Sequence, residues 1–291
     1  AEELVWFAAQ VNAGKTTINA QLANDILFGK DTSSVTSTVW TMIGNKSSAQ
    51  FAGVFDGQGY AVYGLYFGNR EAEGFFGYVA KGGVVKNLTL VSADASGKKR
   101  SGGVVRGGIA AVNYGKIQNC VNKVVRLASV IQGTTGSSYV GYVGGLVGKN
   151  YGEITKSQNF ANIYLSDLIW PGIAYAAGIV AYNEGIISES FNSGVVYTQV
   201  ARMNYVGGIV SHNASSGKIT ASYNSGDVTS FYNKTYSGYN PGANNGGIVG
   251  LNSGLIENVY NIGKDSSYEN TGAVYTGGIV GVNTGASAVV K

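Results

Sequence analysis

Apolar residues in this chain fall into runs of four to six, each broken by Gly or Asn, and the runs recur. Six segments align: GGIAAVN at 107–113, GGLVGKN at 144–150, AGIVAYN at 177–183, GGIVSHN at 207–213, GGIVGLN at 246–252 and GGIVGVN at 277–283. They end on Asn113, Asn150, Asn183, Asn213, Asn252 and Asn283, at spacings of 37, 33, 30, 39 and 31 residues. Each of the first five is followed by a second Asn, at Asn122, Asn159, Asn192, Asn224 and Asn261. The interval is nine residues four times and eleven once, where Ser215 and Ser216 are inserted. Between the two lies an Ile every time (Ile117, Ile154, Ile187, Ile219, Ile256), followed three residues later by Cys120, Ser157, Ser190, Ser222 or Val259.

No apolar stripe at helical spacing outlasts a single turn within this unit. Short β-branched and aromatic runs punctuated by Gly and Asn predict strand, turn, strand, turn. Gly adopts positive φ freely, and Asn tolerates it while bonding its own backbone, so both suit corners. A unit this small cannot bury its own apolar face and must stack on its neighbours. Stacked strands lie about 4.8 Å apart, which sets Asn over Asn and Ile over Ile. Superposed amides can then bond from coil to coil, each donor meeting the next acceptor. The pattern predicts an all-β parallel β-solenoid, right-handed by the crossover preference, with roughly 20 core residues per coil. Variable loops are expected on one side. Residues 107–291 form the repeat solenoid and 51–106 its degenerate opening rungs. Residues 1–50 read as an N-terminal cap with some helix, since Leu4, Phe7, Ala8 and Val11 share a helical face and solenoid ends need covering.

Composition narrows the function. Gly is 45 of 291 residues and charged residues are only 12%. With 44% apolar residues this is not a disordered chain. Net charge is +4, with Lys and Arg scattered apart from Lys98-Lys99-Arg100, which reads as a solvated loop. A nucleic-acid surface would be more basic and clustered. No apolar run reaches membrane-spanning length. A lone Cys excludes an internal disulfide, and Cys120 stands where other repeats carry Ser or Val, as small filler.

Candidate chemistry is sparse. AAQVNAGKTT at 8–17 ends like a phosphate-binding loop, but Ala9 replaces the first Gly and no alternating βα pattern follows. His212 is the only His, which argues against a His-based metal site, and its place beside Asn213 predicts an exposed corner. Glu153, Glu189, Glu257 and Asp227 occupy different offsets in their repeats, so no carboxylate pair is expected for glycoside hydrolysis. Asp56 reads as a turn residue. The expectation is no enzyme, no cofactor and no metal. Aromatics are the candidate binding residues. Phe191, Tyr223 and Tyr260 share one offset and would form a ladder, either bracing the sheet or offering a platform for sugars or a protein. Phe231, Tyr232, Tyr236 and Tyr239 crowd the insertion at 229–245, where Tyr suits adaptable recognition.

The cores Gly145-Leu146-Val147-Gly148 and Gly247-Ile248-Val249-Gly250 resemble the GLUG motif, and the leading half resembles the region before such repeats in bacterial surface proteins. The resemblance implies a secreted or wall-attached bacterial protein, adhesin-like, or the non-catalytic β-helix of an immunoglobulin-A-specific zinc metallopeptidase. It carries no catalytic residue to this chain, because H-E-x-x-H needs two His. The expected function is adhesion, recognition or spacing at the cell surface. The partner would be a host or neighbouring-cell protein or glycan, with no nucleic acid and no membrane insertion. The alternatives are a substrate-presenting β-helix of a secreted peptidase and a self-assembling fibre subunit. After Asn283 the chain stops short of a second Asn corner, which predicts a piece of a longer protein or a solenoid end that pairs with another copy.

Overall fold

Each repeat folds into one coil of five short strands. The computed structural model describes residues 1–291 except 32, 34, 35, 37, 69, 92, 93, 97–99, 102, 125, 133–138, 168–171, 201, 233–241 and 269–272. In one coil the strands are Ile173–Ala177, Val180–Asn183, Ile186–Ser188, Phe191–Asn192 and Val196–Val200, which we number I to V by the sheet each joins. Like strands of successive coils pair in parallel, giving five sheets of seven to nine strands wrapped round one core. The result is a parallel β-solenoid of about seven turns with an N-terminal helix.

Register follows the repeat. Ile154, Ile187 and Ile219 stand directly over one another in sheet III, all fully buried. The first Asn of each unit closes sheet II and the second closes sheet IV. Asn113 Nδ2 donates to Asn150 Oδ1 at 2.8 Å, Asn150 to Asn183 at 2.8 Å, Asn183 to Asn213 at 2.9 Å, Asn213 to Asn252 at 2.8 Å and Asn252 to Asn283 at 2.8 Å. A second column runs from Asn122 through Asn159, Asn192 and Asn224 to Asn261 at 2.8–3.1 Å. Asn113–Asn252 and Asn122–Asn224 are fully buried, so each amide must find its partners inside, and the stack supplies them.

The Ser position does more than fill space. Ser157 Oγ accepts from Cys120 N–H at 3.1 Å and donates to the Thr155 carbonyl at 2.8 Å. Ser190 and Ser222 repeat both bonds one and two coils on. The hydroxyl is bonded at a corner where the preceding residue is left-handed: Asn119 φ 50°, Lys156 51°, Glu189 49°, Ala221 46° and Asn258 52°. This third corner column is invisible in the repeat, because only some members are Asn. Left-handed backbone costs an L-residue with a Cβ about 1–2 kcal/mol, less for Asn and nothing for Gly. Ala221→Gly and Ala221→Asn are therefore expected to stabilise the protein by about 0.5–1 kcal/mol, read as a raised midpoint in urea with unchanged slope.

One feature differs from expectation. The segments between repeat units, expected as loops, build sheets V and I. Val196–Val200 alternates inward Val196, Thr198 and Val200 with outward Tyr197 and Gln199, so period-2 patterning was present without repeating residue types. At the N-terminus the helix Glu2–Asn12 buries Leu4, Phe7, Ala8 and Val11, with the Phe7 ring 6.0 Å from those of Phe51 and Phe55. Ala20–Gln21 and Ile26–Leu27 then pair with Val54–Asp56 and Ala61–Tyr63, so part of 1–50 joins the first coil. Gly14-Lys15-Thr16 lies after the helix, and Leu4–Ala8 is helix, so no buried strand leads into that loop. Asp56 accepts from Gln58 N–H at 2.9 Å and pairs with Lys86 at 3.1 Å.

Candidate ligand-binding surface

Sheet IV carries Phe191, Tyr223 and Tyr260 as a column of half-buried to exposed rings. Successive centroids are 4.9 and 4.8 Å apart and the planes differ by 10° and 2°. Rings stacked this closely cover one another's inner faces. The column therefore braces the sheet along its length, and Tyr260 at its end is 53% exposed. Phe231 belongs to a diagonal series on sheet V with Tyr164, Tyr197 and Tyr268. Tyr236 and Tyr239 lie outside the described residues, as does the Tyr232 side chain, and so do Lys98 and Lys99.

The repeat alignment missed a second aromatic cluster. On sheet I, Tyr142, Tyr175 and Tyr205 stack at 4.8 and 4.7 Å. Each lies two residues before the first small residue of its GG or AG pair, a signal legible in the sequence. The outward column of sheet II beside them holds Lys149, Tyr182 and His212. Lys149 Nζ sits 4.0 Å from the centre of the Tyr142 ring. His212 is not at a corner: it projects from mid-strand, 5.2 Å from Tyr182 edge to face and 6.1 Å from Tyr175. Burial holds Lys149 and His212 below their ordinary values and raises Tyr142, Tyr175, Tyr182 and Tyr205.

Next to this cluster, where sheet II turns into sheet III, a groove of about 700 Å³ crosses five coils. Its floor holds Gly82, Gly115, Gly152 and Gly185. The coil spacing demands glycine at the last three, since a Cβ on each would strike a carbonyl one coil below. One wall is the Tyr114–Tyr151 stack, 4.9 Å apart and 11° from parallel. Tyr151 covers one face of Tyr114. Toward the coil before it, Tyr114 lies over the longer turn of residues 80–83, since Asn113 pairs with Val79 and Lys116 with Val84. The opposite wall carries the Lys116–Glu153 ion pair at 3.1 Å, Ile186 and Lys218. Glu184 lines the groove and accepts from Tyr182 Oη at 2.7 Å.

Two carboxylates, Glu153 and Glu184, thus reach one groove despite their different offsets, because a turn brings neighbouring positions of adjacent coils together. A separate acid, Asp265, stands in the inward column of Leu127, Ile163, Val196 and Val228. Burial, then the nearby Asp227 charge, raise it to about 7. Cys120 is buried and its thiol pushed up to about 12, chiefly by desolvation, so it is a poor nucleophile. Among the described residues no three His, Cys, Asp or Glu side chains converge as a metal site, and no helix is long and apolar enough to cross a membrane.

No family model matches the chain, and no curated protein matches it. Among solved structures it is similar to a putative immunoglobulin A1 protease from Bacteroides ovatus, with 16% sequence identity, covering 92% of this chain and 81% of that one, at a TM-score of 0.53. At that identity the likeness is one of fold: a chain with few residues in common follows a similar path through nearly the whole solenoid.

Proposed function

We propose that this chain is a non-catalytic β-solenoid module of a secreted or cell-surface bacterial protein, built for adhesion, recognition or spacing, with GLUG-type repeats as its structural unit. One observation supports this reading: the rod holds outward Tyr, Lys and His side chains at fixed rung spacing on sheets I and II, while the Ile and Asn columns inside hold the coils together without them. A regular scaffold displaying rigid aromatic and polar groups suits binding.

The runner-up is a substrate-presenting β-helix of a secreted immunoglobulin-A-type peptidase, which the fold likeness to the Bacteroides ovatus protein favours. Purified chain is to be screened on arrays of host and bacterial glycans and host proteins, immunoglobulin A1 included. Saturable binding to a glycan or a surface protein supports recognition. Binding to immunoglobulin A1 alone transfers the support to the runner-up. Concentration-dependent filaments in size-exclusion chromatography and electron microscopy replace both with a fibre subunit.

A further inference from the structure

We infer that the glycine-floored groove between sheets II and III binds an uncharged polysaccharide strand lying along the solenoid axis, with a sugar ring packed on the exposed part of Tyr114. The inference rests on the recognition reading above and assigns it a site and a ligand class.

Shape comes first. Gly82, Gly115, Gly152 and Gly185 leave a track free of side chains. It spans three rung spacings of about 4.8 Å, roughly 14 Å in all. That is a narrow axial slot, suited to a linear polymer and not to a globular partner, whose contact area would need a broad surface.

The aromatic wall comes second. The ladders on sheets I and IV close their ring faces inside the stack. Tyr114 is the first ring of its two-member stack, with the turn of residues 80–83 in the coil before it. Tyr114 is 40% exposed and lines the slot, so part of its ring is available there. An apolar ring face beside a slot is what the C–H face of a pyranose packs on.

The polar wall selects among polymers. Lys81, Lys116 and Lys218 are set against Glu153 and Glu184, donors and acceptors of both signs with little net charge. Sugar hydroxyls both donate and accept, and match such a wall. Two carboxylates among three lysines leave little net positive charge, short of the clustered basic surface that nucleic acid or an acidic glycan would need. An extended peptide adding itself as a strand needs free backbone donors along an edge. Here the neighbouring amides are taken: Lys116 N–H bonds Gly83, Glu153 N–H bonds Gly115, Ile186 N–H bonds Gly152 and Lys218 N–H bonds Gly185, all at 2.9 Å.

The test is a neutral-glycan array with the whole chain, at low and high salt, followed by titration of the best binder against Tyr114→Ala, Tyr114→Phe, Lys218→Ala and Tyr223→Ala. The expected result is saturable binding that changes little with salt. Tyr114→Ala weakens it about tenfold, the scale of one lost aromatic contact. Tyr114→Phe keeps most of it, and Tyr223→Ala, on another sheet, leaves it intact. Urea midpoints close to that of the parent show that each variant is folded. Binding that survives Tyr114→Ala but is lost with Tyr223→Ala overturns this site and leaves the recognition reading standing. Binding only to proteins, or binding that collapses at high salt, overturns the ligand class. Release of new reducing ends from the bound glycan, abolished by Glu153→Gln or Glu184→Gln, overturns the non-catalytic reading instead.

Discussion

Asn183→Leu is expected to cost about 3–5 kcal/mol, although Leu keeps the branching and heavy-atom count of Asn and the site is wholly buried. Asn183 donates to Asn213 at 2.9 Å and to the Gly185 carbonyl at 3.1 Å, and accepts from Asn150 at 2.8 Å. Leucine leaves three polar groups short of a partner in a dry interior. Each costs about 1–3 kcal/mol, offset in part by the apolar side chain gained. The same substitution at Asn283, exposed on the last described coil, is expected to cost under about 1 kcal/mol, because its neighbours can turn to water. Because solenoid coils couple mainly to their neighbours, the loss should be local. Hydrogen exchange should therefore rise first in the coils holding Asn150 and Asn213, and a uniform rise over all coils would contradict the column model.

Gly178→Ala is expected to be at least as damaging, about 3 kcal/mol or more, and to show first as insoluble protein. Its Cβ would land on the Asn192 side chain and the Gly208 carbonyl. The obstruction recurs: the second Gly of the pair faces Asn122, Asn159, Asn192, Asn224 or Asn261 in successive coils. The amide of Asn122 even donates to the Gly145 carbonyl at 2.6 Å. The Gly pair and the second Asn, some 14 residues apart in the unit, are thus two sides of one contact across the coil. Asn192→Ala added to Gly178→Ala removes the side-chain obstruction but not the Gly208 carbonyl, so rescue should be partial. Gly82→Ala is the control. Nothing lies within 4 Å of its would-be Cβ, and only its φ of +93° opposes the change. A loss at Gly178 no larger than at Gly82, by denaturant titration, would refute the steric argument.

The sheets were legible to different degrees. The Asn and Ile columns stood out because the same residue is needed on every coil: an amide bonds best to a copy of itself, and Ile packs best over Ile. Sheets V and I were missed because any inward β-former serves there, so Val196 and Val228 sit in one column with Asp265 and nothing repeats but alternation. The left-handed corner was hidden likewise, since Lys156, Glu189 and Ala221 occupy it beside Asn119 and Asn258. Phe191, Tyr223 and Tyr260 were found as a column, yet only ring distances and angles revealed that they stack face to face. Tyr114 and Tyr151 escaped notice because they share an offset in two coils only.

The sequence by itself determined the coil, its register and its two Asn corners, because those depend on like residues meeting at a fixed repeat. It also determined the helical face of Leu4, Phe7, Ala8 and Val11. Only the tertiary structure decided which aromatic faces stay open, where His212 projects, and that Glu153 and Glu184 share a groove. Those outcomes depend on turns and on the angle between sheets, which bring together residues of different coils at unlike offsets, and no single repeat contains that information.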